Sequence, residues 1–236
     1  MKRFISFSAG SENYVNAGKR IIQQAKTLNL FDEHVLYTDK ELKDDKEFWC
    51  KHGNFIENNK RGYGYWLWKP YIIKKNLDSM NEGDILLYLD AGCELHIDKK
   101  DGMIEALNAV EKDLIVGSLT GGGIEYEWCK MDLYEALDGK NSKPKNQRPG
   151  GTNMFLVCEK TKNLVNEWYE IATSQNYHLL DDTPSILKND IRFKEHRHDQ
   201  AIFSLLTKKH CIFSKVNILE AIYRIRNRTG TSKLKF

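Results

Sequence analysis

No apolar run in this 236-residue chain approaches the roughly 18 to 20 residues needed to cross a bilayer. The opening Met1-Lys2-Arg3-Phe4-Ile5-Ser6-Phe7 also lacks the longer apolar region and small-residue cleavage site of a signal peptide. A soluble cytosolic protein is therefore expected. The five cysteines (Cys50, Cys93, Cys129, Cys158, Cys211) include no C-x-x-C pair, and an odd number cannot close into a complete set of intramolecular disulfides. Free thiols fit better, and neither the cysteines nor the histidines have the spacing of a structural zinc site. Gly121-Gly122-Gly123 is not followed by the Lys-Ser/Thr of a P-loop and lacks the spaced glycines of a dinucleotide fingerprint, so it reads as a flexible connection.

What is present is enough for a sizeable core. A hydrophobic content of 41% over this length fits one α/β domain spanning residues 1–236 better than two. Strands are expected at Phe4–Phe7, Val35–Tyr37, Ile85–Leu89, Leu114–Gly117 and Asn153–Val157, with a short last one at Cys211–Phe213. Helical spacing marks Tyr14–Leu28, Phe48–Ile56, Tyr65–Leu77, Met131–Leu137, Lys162–Ala172 and Asp199–Lys208. Pro70 is tolerable only near a helix start, where its missing N–H costs nothing. The alternation predicts a mainly parallel sheet flanked by helices. Residues 138–152 form a polar loop long enough to suspect function.

Charge is unevenly distributed. From Thr207 onward eight Lys or Arg face the single acid Glu220, so the last thirty residues carry +7 while the whole chain carries +3. This basic C-terminal extension, from about residue 220, could meet phosphate-bearing partners or the inner face of a membrane peripherally. A solvated terminus would have the same composition. No RNA- or DNA-binding motif accompanies it, so no nucleic-acid partner is expected.

The densest chemistry runs from Arg61 to Leu95. An aromatic run, Gly62-Tyr63-Gly64-Tyr65-Trp66-Leu67-Trp68-Lys69-Pro70, precedes the apolar strand Ile85-Leu86-Leu87-Tyr88-Leu89, which ends at Asp90. In open α/β sheets ligands bind beyond the carboxyl ends of strands, which makes Asp90 the first candidate for chemistry. Aromatic faces can stack on a base or sugar, and Lys69 can offset phosphate charge. Trp66 and Trp68 cannot share one helical face, so at least one belongs to the core.

Tyr88-Leu89-Asp90-Ala91-Gly92 resembles the strand end of GT-A glycosyltransferases, whose D-x-D motif holds a divalent metal against the diphosphate of a nucleotide sugar. Gly92 stands where the second aspartate is expected, and the next acid is Glu94. His198-Asp199-Gln200 resembles the D-Q element that opens a late helix in several GT-A families. The aromatic run is similar to a motif in small polysaccharide-building glycosyltransferases of bacteria and large viruses, where it precedes a Leu-Asp-Ala-Gly strand. In that group a Lys-x-Asp element like Lys130-Met131-Asp132 precedes a short helix, and a strand entry like Gly150-Gly151-Thr152-Asn153 follows a loop.

The resemblance implies a single GT-A (Rossmann-like) domain that moves a sugar from a nucleoside diphosphate donor to a hydroxyl on a glycan or lipid-linked glycan. Its implied catalytic residues are Asp199 and Asp90. Tyr65, Trp66, Lys69, Asp90, Ala91 and Gly92 would face the donor. Lys130, Asp132, Gly151, Thr152, His198, Asp199 and Gln200 would face the sugar or acceptor. Mn²⁺ or Mg²⁺ would sit on Asp90 and Glu94, since these hard cations take few protein carboxylates beside phosphate oxygens. Without a metal, Lys69, Lys130, Arg148 and Arg197 are the candidate cations. The alternative is a catalytically inactive domain that binds a sugar nucleotide or scaffolds a complex.

Overall fold

The computed structural model describes residues 1–235. Its centre is β3 (Ile85–Leu89), whose five side chains are all buried because helices cover both faces of the sheet around it. On one side lie β1 (Lys2–Phe7) and then β2 (Glu33–Tyr37), both parallel to their neighbours. On the other side lies β5 (Thr152–Leu156), antiparallel to β3 and to β4 (Ile115–Gly117) at the edge. The order β2-β1-β3-β5-β4 is a mixed sheet in which four strands run one way, so the expected α/β class with a mainly parallel sheet holds.

Alternation along the strands sorts the core into two layers. Ile5, Phe7, Leu86, Tyr88 and Phe155 face α5 (Trp68–Ser79), α8 (Glu159–Thr173) and α9 (His198–Lys209). Phe4, Leu87, Leu89, Val116 and Met154 face α1 (Glu12–Leu28) and α6 (Lys100–Asp113). Trp168 on α8 is fully buried, packs on Phe203 of α9 and donates its indole N–H to Asp199 O at 3.0 Å. Burying an aromatic ring of this kind contributes on the order of 2–3 kcal/mol, and here it also fixes where α9 begins.

Several elements depart from expectation. The helix expected from Tyr65 starts at Trp68, because Gly62, Tyr63, Gly64, Tyr65 and Trp66 have φ of 58°, 54°, 81°, 51° and 60° and form the single left-handed turn α4 (Gly62–Tyr65). Pro70 consequently falls in the first turn of α5, where it is tolerated. The short helix α2 (Asp39–Asp44) is unexpected, whereas α3 (Lys46–Asn58) covers the helix expected at residues 48–56 and α7 (Met131–Ala136) lies near its expected place. Helix α6 adds an element with no expected counterpart, although Met103, Ala106, Leu107 and Val110 have helical spacing and are all buried. Residues 211–213 form no strand.

The basic extension is not a free arm. Ile218, Ala221 and Ile222 are core residues, and Tyr223 and Glu94 exchange backbone hydrogen bonds at 2.8 and 2.9 Å. Glu94 is fully buried and accepts from Asn227 Nδ2 at 2.6 Å, Lys233 N at 2.9 Å, Gln24 Nε2 at 3.1 Å and the Ser232 hydroxyl. These hydrogen bonds outweigh its burial and hold its carboxyl below the usual glutamate range. One carboxylate thus ties α1 and the C-terminal segment to the end of β3.

Replacing Glu94 with Ala leaves four donors around an empty buried site. The expected cost is about 3 kcal/mol, read as a lowered denaturation midpoint in urea, with earlier proteolysis after Tyr223. Unchanged stability would show that the tail is held by other contacts.

Candidate functional site

Four elements deliver side chains to one place. The end of β3 supplies Tyr88 and Asp90, the first turn of α5 supplies Lys69, the first turn of α9 supplies Asp199, and the turn into β5 supplies Gly150 and Gly151. Antiparallel pairing of β3 with β5 sets the last of these, since Leu89 lies opposite Thr152 and Asp90 N donates to Gly151 O at 2.8 Å.

Lys69 is the hub. Its Nζ lies 3.1 Å from Asp199 Oδ2 and 3.4 Å from Asp90 Oδ1, with Lys69 and Asp199 side chains only 4% and 5% exposed and Asp90 48% exposed. Tyr88, on the same face as Asp90, donates its hydroxyl to Asp90 Oδ1 at 2.5 Å. Burial alone would strip Lys69 of its proton, but the two carboxylates reverse this and raise its pKa. Burial pushes Asp199 up to about 6, against the attraction of Lys69, with Asp90 adding repulsion. Burial, with Asp90 beside it, raises Tyr88 well above its ordinary value, so its hydroxyl remains a donor.

Contact leaves no space for a side chain at Gly151 and little at Gly150. A methyl on Gly151 would overlap Asp90 Oδ2, and one on Gly150 would stand 3.3 Å from Asp199 Oδ2. The turn therefore brings backbone, not side chains, against both carboxylates.

Tyr65 and Trp66 reach the site through His198. The His198 ring stacks on both, at centroid distances of 4.8 and 5.3 Å, and its Nδ1 lies 2.8 Å from Leu180 O. Its backbone is left-handed, with φ 47°, and burial lowers its pKa. Trp68 is the core partner expected of the tryptophan pair, stacked on Phe7 at 3.7 Å. Left-handed backbone costs roughly 1–2 kcal/mol per residue. It is held here by Gly64 N to Asn59 O (2.8 Å), Tyr65 N to Arg61 O (2.8 Å) and Trp68 Nε1 to Gly62 O (3.0 Å). Arg61 also pairs with Asp182 at 3.0 Å and Glu195 at 2.9 Å.

Other expected residues are committed elsewhere. Lys130 is buried, with Nζ donating to His178 O (2.5 Å), Asp181 Oδ1 (3.3 Å) and Thr183 Oγ1 (3.4 Å). Asp132 accepts from the backbone N–H of Ile186 (2.8 Å) and Leu187 (2.7 Å), with His178 Nε2 at 2.7 Å. This pair braces the segment between α8 and α9; neither is bonded to Lys69, Asp90 or Asp199. Ala91 is buried with its carbonyl on Arg20 at 2.8 Å. Two others stay at the site: Thr152, next to Gly151 with its buried Oγ1 unpartnered, and Gln200, which accepts from Gly150 N at 3.4 Å and donates to Gln147 at 2.6 Å. Arg148 packs over Phe213, and burial pushes its guanidinium down to about 10.

The paired metal site does not form. Glu94 spends both oxygens on the C-terminal segment, and Asp90 faces an ammonium rather than a second free carboxylate. Among the described residues no group of three or more His, Cys, Asp or Glu side chains converges to hold a metal. The donor set therefore does not fit a resident divalent ion on Asp90 and Glu94. Tyr88 and Gly150 both lie in motifs the sequence shows, but neither carries a site role there, since the hydroxyl contact of one and the backbone approach of the other depend on tertiary placement.

No family model matches the chain, and no curated protein matches its sequence. Among solved structures it is similar to mouse xyloside xylosyltransferase 1, apo form, at 10% identity, covering 92% of this chain and 86% of that one with a TM-score of 0.46. It is also similar to mannose-6-phosphate isomerase from Helicobacter pylori, at 11% identity, covering 72% and 75% with a TM-score of 0.39. At such identities and scores neither likeness carries a functional argument, so function is argued below from the residues. No described helix is long and apolar enough to cross a membrane.

Removing the ammonium should lift the carboxyl further. Lys69→Met is expected to move the apparent pKa near 6 upward by a unit or more, read by ¹³C NMR of the aspartate carboxyls at graded pH. A downward or absent shift would contradict the assigned ion pairs.

Proposed function

We propose that the chain is a glycosyltransferase that moves a sugar from a nucleoside diphosphate sugar to a hydroxyl of a glycan or lipid-linked acceptor, in polysaccharide or glycoconjugate assembly. One observation carries the reading: a buried ammonium joins a half-exposed aspartate at a strand end to a buried aspartate at a helix start. Two carboxylates whose surroundings separate their proton affinities are a common basis for acid–base work near neutral pH.

In this reading the half-exposed Asp90 receives donor hydroxyls, held by Tyr88, while Tyr65 and Trp66 form the aromatic wall on the His198 side. Asp199 acts on the acceptor. The acceptor oxygen bonds to the anomeric carbon as the carbon–phosphate oxygen bond breaks. The proton passes from the hydroxyl to Asp199, and the nucleoside diphosphate departs with the electron pair. Charge developing on that diphosphate must meet preorganised positive groups. Lys69 is already neutralised by two carboxylates, so its role is to hold them and set their charge.

The pH dependence follows from Asp199. Below about 6 its carboxyl is protonated and cannot accept; as pH rises through about 6 it ionises, so kcat/KM should climb on a limb near that value. Stability runs the opposite way. The folded carboxyl holds its proton more tightly than at its ordinary 3.8, so this contribution is present below that value and is lost as pH rises through about 6, by on the order of 3 kcal/mol.

Thermal-shift screening against a nucleotide-sugar panel, with and without Mn²⁺, should find a donor that raises the melting temperature. Turnover with that donor should fall roughly 10²- to 10⁴-fold in Asp199→Asn at retained fold and lose its limb near pH 6. Donor binding without turnover on any acceptor would favour the inactive sugar-nucleotide-binding alternative. No binding across the panel would remove the transferase reading.

A further inference from the structure

Two arginines that play no part in the Lys69 cluster, Arg197 and Arg224, contact the glycine loop 121–123, and a third, Arg226, lies beside Gly92. Gly121 and Gly123 are left-handed, with φ of 89° and 77°, and none of the three glycines has room for a side chain. A methyl would overlap the Arg224 guanidinium at Gly121, the Gln147 carbonyl at Gly122 and the Trp128 indole at Gly123. The loop is thus a close-packed seat rather than a slack connection. Arg197 lies 3.7 Å over the Trp128 ring and donates Nη1 to Gly122 O at 2.7 Å. Arg224 donates Nη1 to Thr120 O at 3.2 Å and Ser118 Oγ at 3.3 Å.

Arg226 completes the group. Its backbone is left-handed, with φ 54°, and its Cα lies 3.3 Å from where a Cβ on Gly92 would stand. Asn227 N donates to Gly92 O at 2.8 Å, which fixes the tail two residues beyond Asp90. Burial lowers the pKa of Arg197; the Glu195 carboxylate offsets part of this and the Arg226 charge adds to it, so Arg197 lies within electrostatic reach of both. The buried Cys93 thiol senses both Asp90 and Arg224, which places that arginine in the electrostatic neighbourhood of the strand end.

Among the described residues these three arginines form no ion pair, as Arg20, Arg148 and Arg228 form none, whereas Arg61, Arg192 and Arg3 are paired. What sets the three apart is their grouping beside the loop and Gly92. Glu195 acts on Arg197 and solvent screens the exposed Arg224 and Arg226, and the net positive charge that remains favours an anion. Guanidinium forks match phosphate oxygens, and three of them suit two linked phosphoryl groups better than one carboxylate.

We infer that Arg197 and Arg224, on the Gly121-Gly122-Gly123 loop, and Arg226, beside Gly92, form a metal-independent binding site for a diphosphate group. The inference deepens the transferase reading and rests on it for the identity of the ligand as a nucleoside diphosphate. It gives Gly92 a physical reason: any side chain there would press on the Arg226 backbone. The sequence thus puts a glycine where a second metal-binding aspartate would stand, and the tail passes over that position. The negative charge of a departing diphosphate would be met by side chains contributed from the C-terminal segment.

Inorganic pyrophosphate in EDTA is the probe, titrated calorimetrically into the full chain. Wild type should bind, Arg224→Gln and Arg226→Gln should each weaken binding about tenfold or more, and both together should lose it nearly completely. Arg228, which lies over Tyr14 of α1, is the control, and Arg228→Gln should stay within about twofold. Both test positions are exposed, and unchanged melting temperatures would separate lost binding from lost fold.

Equal losses in all three variants would mean a general polyanion surface and would overturn the inference. So would normal binding in the Arg224 and Arg226 variants, or wild-type binding that requires Mn²⁺. The two proposals fail separately. Sugar transfer with unaltered pyrophosphate affinity in the variants would sink the arginine site alone. Arginine-dependent pyrophosphate binding with no sugar-nucleotide binding would sink the transferase reading alone.

Discussion

One buried ammonium organises the functional end of this sheet. Lys69 is almost inaccessible and remains charged because Asp90 and Asp199 compensate its desolvation. The converse also holds: Asp199, at the buried start of α9, can ionise near neutral pH because Lys69 offsets part of its burial. Each group is tolerable only with the others in place. This makes the relative placement of α5, α9 and β3 a single constraint rather than three.

Much of the neighbouring structure can be understood as holding that constraint. Trp168 fixes the first turn of α9, the antiparallel entry of β5 places glycine backbone against the carboxylates, and the left-handed turn 62–66 lays Tyr65 and Trp66 on His198. A run of left-handed residues, three of them aromatic, is unfavourable on its own and persists because hydrogen bonds and stacking over-determine it. Left-handed residues also occur elsewhere, at Gln175, Asn176 and Tyr177 for instance, but this run together with His198 packs beside the start of α9.

The C-terminal segment has the same logic at longer range. Glu94 and Asn227 draw the tail back along the end of β3. Its arginines therefore stand beside Gly92 and the glycine loop instead of in open solvent remote from the sheet. Glu94 illustrates why residue type alone misleads: a carboxylate four positions past Asp90 looks like a ligand, yet its burial requires a full set of donors, and the tail supplies them.

Local pattern determined a good deal about this protein. The apolar run ending at Asp90 was legible as a buried strand because both its faces are covered, and the spacing of Ile202, Phe203, Leu205 and Leu206 marked the helix that begins at His198-Asp199. Asp90, Asp199 and Lys69 were each visible as chemically unusual residues at element ends. Their mutual distances were not, because they come from elements far apart in the chain and meet only through strand order and helix packing. The left-handed turn was hidden because tyrosine and tryptophan rarely adopt that backbone, so no propensity points to it. The roles of Lys130, Asp132 and Glu94 were hidden for a related reason: a polar side chain's function depends on which partners burial brings to it. Local sequence determines which groups can carry charge and where helices and strands end; tertiary structure alone decides which charges are brought together, and that proximity, with burial, is what shifts a proton affinity.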